Sequence, residues 1–356
     1  MRLKRLIVEG VRNLDPADLL LGDGTTLITG ANAAGKTSLL EAIHLLGRGR
    51  SFRSGRLEQV IRHGKAFLRV TGRIESQSRE HRLGVEHDGA RWRGRVDGRD
   101  IRALSELAGL FPVQVINTET QRILQDGPAV RRVFLNWGSF HRDFAYQGHW
   151  QRYERALRQR NAALRSGDLR LAAAWEPDLA GAGEAVDRIR RDLANALETR
   201  LARFVDRWLE GHGVTLTYRS GWRAGESLLG LYGRERERER EAGFTLHGPH
   251  RADLRIGAMG VEAQHGLSRG QQKLLAISLV LTLCEELHAA TQRAPVLLVD
   301  DLAAELDRER CAQVLEALEG LRAQVVLTAI DARDLPLAEL PGRRYHLAGG
   351  AVQEMI

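Results

Sequence analysis

Apolar positions recur along this chain in two periods, and the switches between them mark its parts. In Met1-Arg-Leu-Lys-Arg-Leu-Ile-Val-Glu9, Leu3, Leu6 and Val8 stand among charged neighbours, the pattern of a half-buried strand. Thr25-Thr-Leu-Ile-Thr29 predicts a second strand. Leu39, Leu40, Ala42, Ile43, Leu45 and Leu46 then recur at helical spacing. Alternation returns in Ala66–Ile74, Arg82–Glu86 and Arg91–Val96, with turns at Asp88-Gly89 and Asp97-Gly98. Phe111–Ile116 predicts another strand.

From Pro128 the pattern is helical, through Val133–Trp137, Trp150–Leu164 and Leu169–Leu209. Val214–Tyr218 restores strand texture. Gly233–Glu241 then alternates Arg with Glu, which predicts a solvated helix end or connector laced by local ion pairs. The final third predicts helix Gln271–Leu287, strand Pro295–Val299, helix Arg308–Leu318 and strand Gln324–Thr328. The expected organisation is α/β in three parts. Residues 1–127 form the first part of a head with a strand-rich lobe, 128–212 an inserted helical arm, and 213–356 the second part of the head.

Three runs placed on these elements carry the chemistry. Gly30-Ala31-Asn32-Ala33-Ala34-Gly35-Lys36-Thr37-Ser38 follows a strand and opens a helix. That is the context in which G-x-x-x-x-G-K-[ST] cradles phosphates with backbone N–H groups and a helix N-terminus. Lys36 is placed to reach the β- and γ-phosphates of ATP, and Thr37 to offer its hydroxyl oxygen to Mg²⁺. Val296-Leu-Leu-Val-Asp300-Asp301 is a buried strand ending in two carboxylates. A buried charge needs a partner, and Mg²⁺ supplies one for Asp300. Asp301 stands where related ATPases carry a glutamate that activates water. Its shorter side chain predicts slow hydrolysis.

Ser268-Arg269-Gly270-Gln271 precedes a helix, and such a turn reads the γ-phosphate held by a second subunit. Ala304-Glu305-Leu306-Asp307 has the spacing of a D-loop, and Thr328 ends the strand where a γ-phosphate sensor sits. Gln114 and Gln121 are rival candidates for a glutamine that senses Mg²⁺ and water. Together these runs predict the head of an ABC-type or chromosome-organising (SMC-type) P-loop ATPase. The helical insertion is too short for the long coiled coil of the chromosome-organising machines.

Charge and cysteine content refine this only slightly. The formal charge is +7, and lysine occurs only at Lys4, Lys36, Lys65 and Lys273, so nearly all the positive charge is arginine. Nucleic acid is one explanation and compositional bias another. Cys284 and Cys311 lie in apolar helical patterns and are expected to pack in the core of a protein from a reducing compartment. The start does not resemble a signal peptide, and no run reads as long and apolar enough to span a bilayer. The expectation is a cytoplasmic protein with no membrane partner.

Further stretches identify a closer relationship. Gly248-Pro-His-Arg-Ala-Asp253, Asp126-Gly-Pro-Ala-Val-Arg131-Arg132, Leu157-Arg-Gln-Arg160-Asn161 and Gly49-Arg-Ser51-Phe-Arg53 resemble the RecF recombination-mediator family, in order and from end to end of the chain. The resemblance implies ATP binding, ATP-dependent homodimerisation and weak, DNA-stimulated ATPase activity. It implies binding to double-stranded DNA and to junctions with single strands. It also implies work with RecR and RecO to load RecA, in replication restart and the SOS response. Some of Arg53, Arg56, Arg131, Arg132 and Arg160 are candidates to face DNA phosphate, pairing with carboxylates being the alternative for the others, and His250 and Arg251 are expected to contact nucleotide or the second subunit. Ala33-Ala34 replaces a Gly-Gln pair frequent in the family, a change expected to matter little because the backbone does the binding.

Overall fold

Six strands drawn from both ends of the chain make the sheet that carries the nucleotide motifs. Their order is Ala351–Met355, Arg344–Ala348, Thr25–Thr29, Val325–Ala329, Val296–Val299 and Val113–Ile116. All neighbours are parallel except the terminal hairpin Arg344–Ala348/Ala351–Met355. Near-continuous apolar runs suit such buried parallel strands, and every residue of Val296–Val299 and Val325–Ala329 is buried. This is a computed structural model, and it describes residues 1–77, 79–336 and 342–355.

Helix Lys36–Arg48 leaves the end of strand Thr25–Thr29 and packs against a second, antiparallel sheet. That sheet has the order Ala17–Leu20, Arg2–Glu9, Leu68–Ser76, Arg79–His87, Trp92–Val96 and Arg99–Asp100. One face of it supplies Leu3, Leu6, Val8, Val70, Ile74 and Leu83 to the same core as Leu39, Leu40, Ile43 and Leu46 of the helix. The alternation read from the sequence is therefore the two-sidedness of this sheet.

Both sheets belong to one compact unit, residues 1–120 with 287–356; residues 121–286 form the other. The second unit holds helices Pro128–Arg142, Tyr146–Ser166, Leu169–Trp208 and Leu228–Ala242. Its three-stranded sheet has the order Val261–Glu262, Asp253–Ala258, Thr215–Arg219. This division differs from the three-part reading. The stretch 213–286, including the Ser268–Gln271 turn, groups with the arm helices. The reason is visible in side chains. Arg131 forms an ion pair with Asp253 at 2.7 Å, and Arg132 Nη1 donates to Ala252 O at 3.0 Å, tying helix Pro128–Arg142 to strand Asp253–Ala258.

Two sequence expectations need correction. Helix Arg269–Thr291 is in fact long and apolar enough to cross a membrane by length and composition. Its apolar residues from Leu274 to Leu287 are buried in the protein, which accounts for the composition without a bilayer. The Arg-Glu repeat is a helix, and Arg238–Glu235 and Arg240–Glu237 are the expected local pairs. It is not merely a solvated face, because Arg236 reaches Glu176 at 2.6 Å and Glu239 is fully buried against Arg160. Cys284 and Cys311 are free and buried, and burial pushes their thiols up to about 12 and about 11.

Candidate nucleotide site

The phosphate loop depends on backbone shapes that side chains resist. Gly30 and Gly35 have φ of 152° and 116°, and a Cβ at Gly30 would meet Leu347 O at 2.4 Å. Ala33 also has a left-handed φ, 63°, a conformation that glycine adopts more easily. The loop is braced from outside. Asn13 Nδ2 donates to Ala33 O at 2.9 Å, and Ser38 Oγ donates to Asn13 Oδ1 at 3.0 Å. Lys36 Nζ is buried and donates to Gly30 O and Ala31 O at 2.9 and 3.3 Å, with Asp301 Oδ1 3.8 Å away.

Asp300 lies at the end of strand Val296–Val299, where it meets two hydroxyls. Thr37 Oγ1 donates to Asp300 Oδ2 at 2.9 Å, and Thr328 Oγ1 donates to Oδ1 at 2.8 Å. Burial raises the Asp300 pKa, and the charge of Asp301 adds to the rise; the Thr328 and Thr37 hydrogen bonds and Lys36 oppose it. Asp301 has a left-handed backbone, φ 47°, and its buried Oδ1 has no hydrogen-bond partner. These features fit Mg²⁺. The donor set is hard oxygen, the carboxylate lacks full compensation, and one more carboxylate oxygen stands free. Among the described residues no cluster of three or more His, Cys, Asp or Glu could hold a metal alone. Such a site takes the ion together with nucleotide phosphates.

Thr328 is placed differently from a direct γ-phosphate sensor. Its hydroxyl is buried, donates to Asp300 and accepts the Asp301 N–H at 2.9 Å. It fixes both carboxylates relative to each other. Asp307 caps helix Arg308–Gly320 by accepting the Arg310 N–H at 2.8 Å. Gln114 lies within strand Val113–Ile116, opposite Leu297, while Gln121 is the first residue of the other unit.

Beside the loop opens a cleft of about 540 Å³, lined also by Arg12, Arg53, Gln59, Ile61, His63 and Asp301. Sequence reasoning missed most of these, because nothing in their spacing is distinctive. Glu41 organises them. It is fully buried on the loop's own helix, accepts two 2.9 Å bonds from Arg12, accepts from Ser51 Oγ, and lies 3.9 Å from Arg53. Arg53, expected on a DNA surface, therefore borders the nucleotide cleft. Arg56 is exposed.

The other expected DNA contacts are turned inward. Arg160 is fully buried, 3.0 Å from Glu176 and 2.6 Å from Glu239. Arg131 is held by Asp253, and Arg132 is half-buried, with its pKa lowered by burial and then by Arg190. An arginine enclosed by carboxylates has no hydrogen-bonding face left for phosphate. His250 is likewise structural in this unit. It bonds Tyr153 Oη and Thr245 O, and burial lowers its pKa to about 4. Arg251 is exposed and lies over the Phe244 ring at 5.3 Å.

The turn Ser268–Gln271 opens helix Arg269–Thr291. Gln271 Oε1 accepts the Ser268 N–H at 2.8 Å. Ser268, Arg269 and Gly270 are exposed, so the turn faces outward.

Comparisons with known proteins bear on the family and the fold. The family model described as RecF/RecN/SMC N terminal domain matches residues 2–345. The "DNA replication and repair protein RecF" of Stutzerimonas stutzeri (strain A1501) is 39% identical over 362 residues, covering 100% of this chain and 98% of that protein. That of Pseudomonas fluorescens (strain SBW25) is 38% identical over 361 residues, covering 99% and 98%. A solved structure of the recombination mediator protein RecF with ATP, in the RecFOR pathway, superposes with a TM-score of 0.87 at 26% identity, covering 99% and 97%. An Smc head bound to a domain of ScpA matches with a TM-score of 0.63 at 14% identity, covering 100% and 97%, which shows the fold alone.

Proposed function

The chain belongs to the RecF family of DNA replication and repair proteins, and on that premise we propose that it is an ATP-switched protein that holds double-stranded DNA during recombinational repair. ATP lies along the loop Gly30–Ser38, with Lys36 released from its backbone carbonyls onto the β- and γ-phosphates. Thr37 and Asp300 would hold Mg²⁺, whose charge would offset that of the phosphates. Asp301 orients the attacking water from one methylene further away than a glutamate would, so hydrolysis is slow, and DNA stimulates it.

Two copies close over two nucleotides. The exposed Ser268–Gly270 turn supports this, because it faces solvent rather than the chain's own core. The proposed setting is cytoplasmic, at junctions of double- and single-stranded DNA, with RecR and RecO helping to load RecA. The observation that carries the reading is the hydroxyl-bridged Asp300 beside an intact phosphate loop, a site whose charge is completed by Mg²⁺ and ATP.

The test is mass in solution with and without ATP, for wild type and Ser268→Arg. Wild type is expected to dimerise with ATP, and the variant to bind ATP and stay monomeric. An ATP-bound dimer of the variant would sink the composite-site reading. Lys36→Met removes the phosphate-facing cation and is expected to bind no ATP. Filter binding of duplex DNA by wild type is expected to tighten with ATP and to weaken steeply with salt.

A further inference from the structure

The outer face of the antiparallel sheet has a pairing that the fold itself does not explain. Its inner face supplies core residues; its outer face is crossed by a row of like charges. Arg5 of strand Arg2–Glu9 pairs in register with Arg73, and Arg73 with Arg82 on the next strand. Like charges directly opposite one another weaken a sheet. The adjacent outward row is Ile7, Thr71, Gly84 and Arg95. Small residues in its middle leave a trough of about 380 Å³ floored by Thr71 and Gly84 and walled by Arg5, Arg73, Arg82 and Arg95. A Cβ at Gly84 would meet nothing closer than Thr71 Cγ2 at 3.6 Å, so no packing demand accounts for the open floor.

The acidic neighbours do not close the account. Arg5 is paired with Asp18, and Arg95 reaches Asp100 at 2.7 Å, where the two side chains are 65% and 74% exposed. Arg73 lies 3.7 Å from Glu80, beyond hydrogen-bond range. Asp97, next to Arg82, accepts the Arg82 backbone N–H and lies 2.8 Å from His81. The Arg82 guanidinium has no carboxylate within 4 Å among the described residues. Arg5 is held by both Asp18 oxygens and is the least available of the four, whereas exposed single-contact pairs such as Arg95–Asp100 contribute little and leave the arginine free to meet another anion.

We propose that this face binds the phosphate backbone of duplex DNA, the Arg5–Arg73–Arg82 row and Arg95 gripping phosphates across the open trough. The inference rests on the DNA-binding function proposed above and gives it a location. With neighbouring strands about 4.8 Å apart, the three-residue row spans about 10 Å. Duplex DNA presents a charge for roughly every 1.7 Å of its axis, so several phosphates fall within that span. Contacts made to phosphates carry no sequence information, so binding here is independent of sequence. Because the opposite face of the sheet carries the core against the phosphate-loop helix, these arginines are free of the nucleotide machinery.

The test uses the full chain with Arg73→Gln, Arg82→Gln and Arg95→Gln combined, and filter binding to a duplex at several salt concentrations. Each lost phosphate contact removes about 0.9 from the slope of log affinity against log salt, so the slope is expected to fall by about 2.7. Binding of a fluorescent ATP analogue is expected to match wild type, and the thermal midpoint to be no lower, because the substitutions relieve facing like charges. The corresponding triple lysine variant keeps the charge and is expected to retain the wild-type slope. Wild-type DNA binding with an unchanged slope in the glutamine variant overturns this location and leaves the DNA-binding function standing. Loss confined to a poly-glutamate probe overturns it in favour of an acidic protein partner. Absence of salt-dependent DNA binding by wild type itself defeats the function on which the location rests.

Discussion

Charge is buried in both units of this protein, and it is settled differently in each. In the arm unit, Arg160 is enclosed by Glu176, Glu239 and the Thr245 hydroxyl, and lies over the Tyr232 ring at 4.7 Å. Burial alone would raise the Glu176 pKa, but hydrogen bonds from Arg236 and Arg160 bring it below the usual carboxylate range. In the nucleotide unit, Asp300 has two hydroxyl donors and an acidic neighbour, and its pKa is raised. Lys36, the nearby cation, is hydrogen-bonded to loop carbonyls instead. Charges that exist for architecture are closed among themselves. Charges that exist for a ligand are left open until it arrives.

The comparison breaks most visibly at Arg160. Arg160→Leu strands Glu239 in the interior, while Glu176 keeps Arg236, and removing one partner of a buried pair costs about 3–5 kcal/mol. Urea unfolding should show that loss while ATP affinity stays near that of wild type. A loss below about 1 kcal/mol would mean that the arm's charges are solvated after all.

Asp300→Asn should act in the opposite sense on stability. Losing the charged metal ligand is expected to slow hydrolysis about 10²–10³-fold, measured by phosphate release. Without nucleotide, however, the variant should be the more stable protein at pH 7. The sign follows from the shift. A carboxylate whose folded pKa is raised favours folding below its unfolded value near 4, and that contribution is lost as pH rises through the folded value. The advantage of asparagine should therefore vanish on acidification below about pH 4. Thermal midpoints that are equal at pH 7 would show that Asp300 is compensated within the chain.

Thr328→Val keeps shape but removes the hydroxyl between Asp300 and the Asp301 N–H. An unmatched buried donor costs about 1–3 kcal/mol, and turnover should fall with stability; Thr328→Ser should restore both. The smallest effect is expected at Ala33→Gly. Relief of a left-handed alanine is worth about 1–2 kcal/mol, partly offset by glycine's greater freedom when unfolded. A midpoint rise of a few degrees with unchanged ATP affinity is the expected result.

How far the sequence could be read follows the same division. The phosphate loop, the strand ending in Asp300 and the Ser268 turn were legible because each is a short contiguous run. Asn13, Glu41 and Gln59 were not, because their importance comes from side chains meeting across distant elements. The arginines show the limit most clearly. Which of Arg131, Arg132 and Arg160 turn inward was not legible, because Asp253, the Ala252 carbonyl, Glu176 and Glu239 lie far along the chain. Arg73 and Arg82 stood in plain view, but a row across three strands appears only once register is known. The Arg-Glu helix was read correctly on its exposed side and missed where Arg236 and Glu239 turn inward.

The split origin of the nucleotide sheet governs how the protein is made. Only strands Thr25–Thr29 and Val113–Ile116 emerge early from the ribosome; both immediate neighbours of Thr25–Thr29 lie beyond residue 324. At roughly 5–20 residues per second, about ten seconds to a minute separate the phosphate loop from the strands that clasp it. Throughout that interval the chain carries a complete ATP-binding motif that has no sheet to hold its shape. A polypeptide cut short before Val325 would retain the nucleotide motif without either strand that flanks Thr25–Thr29.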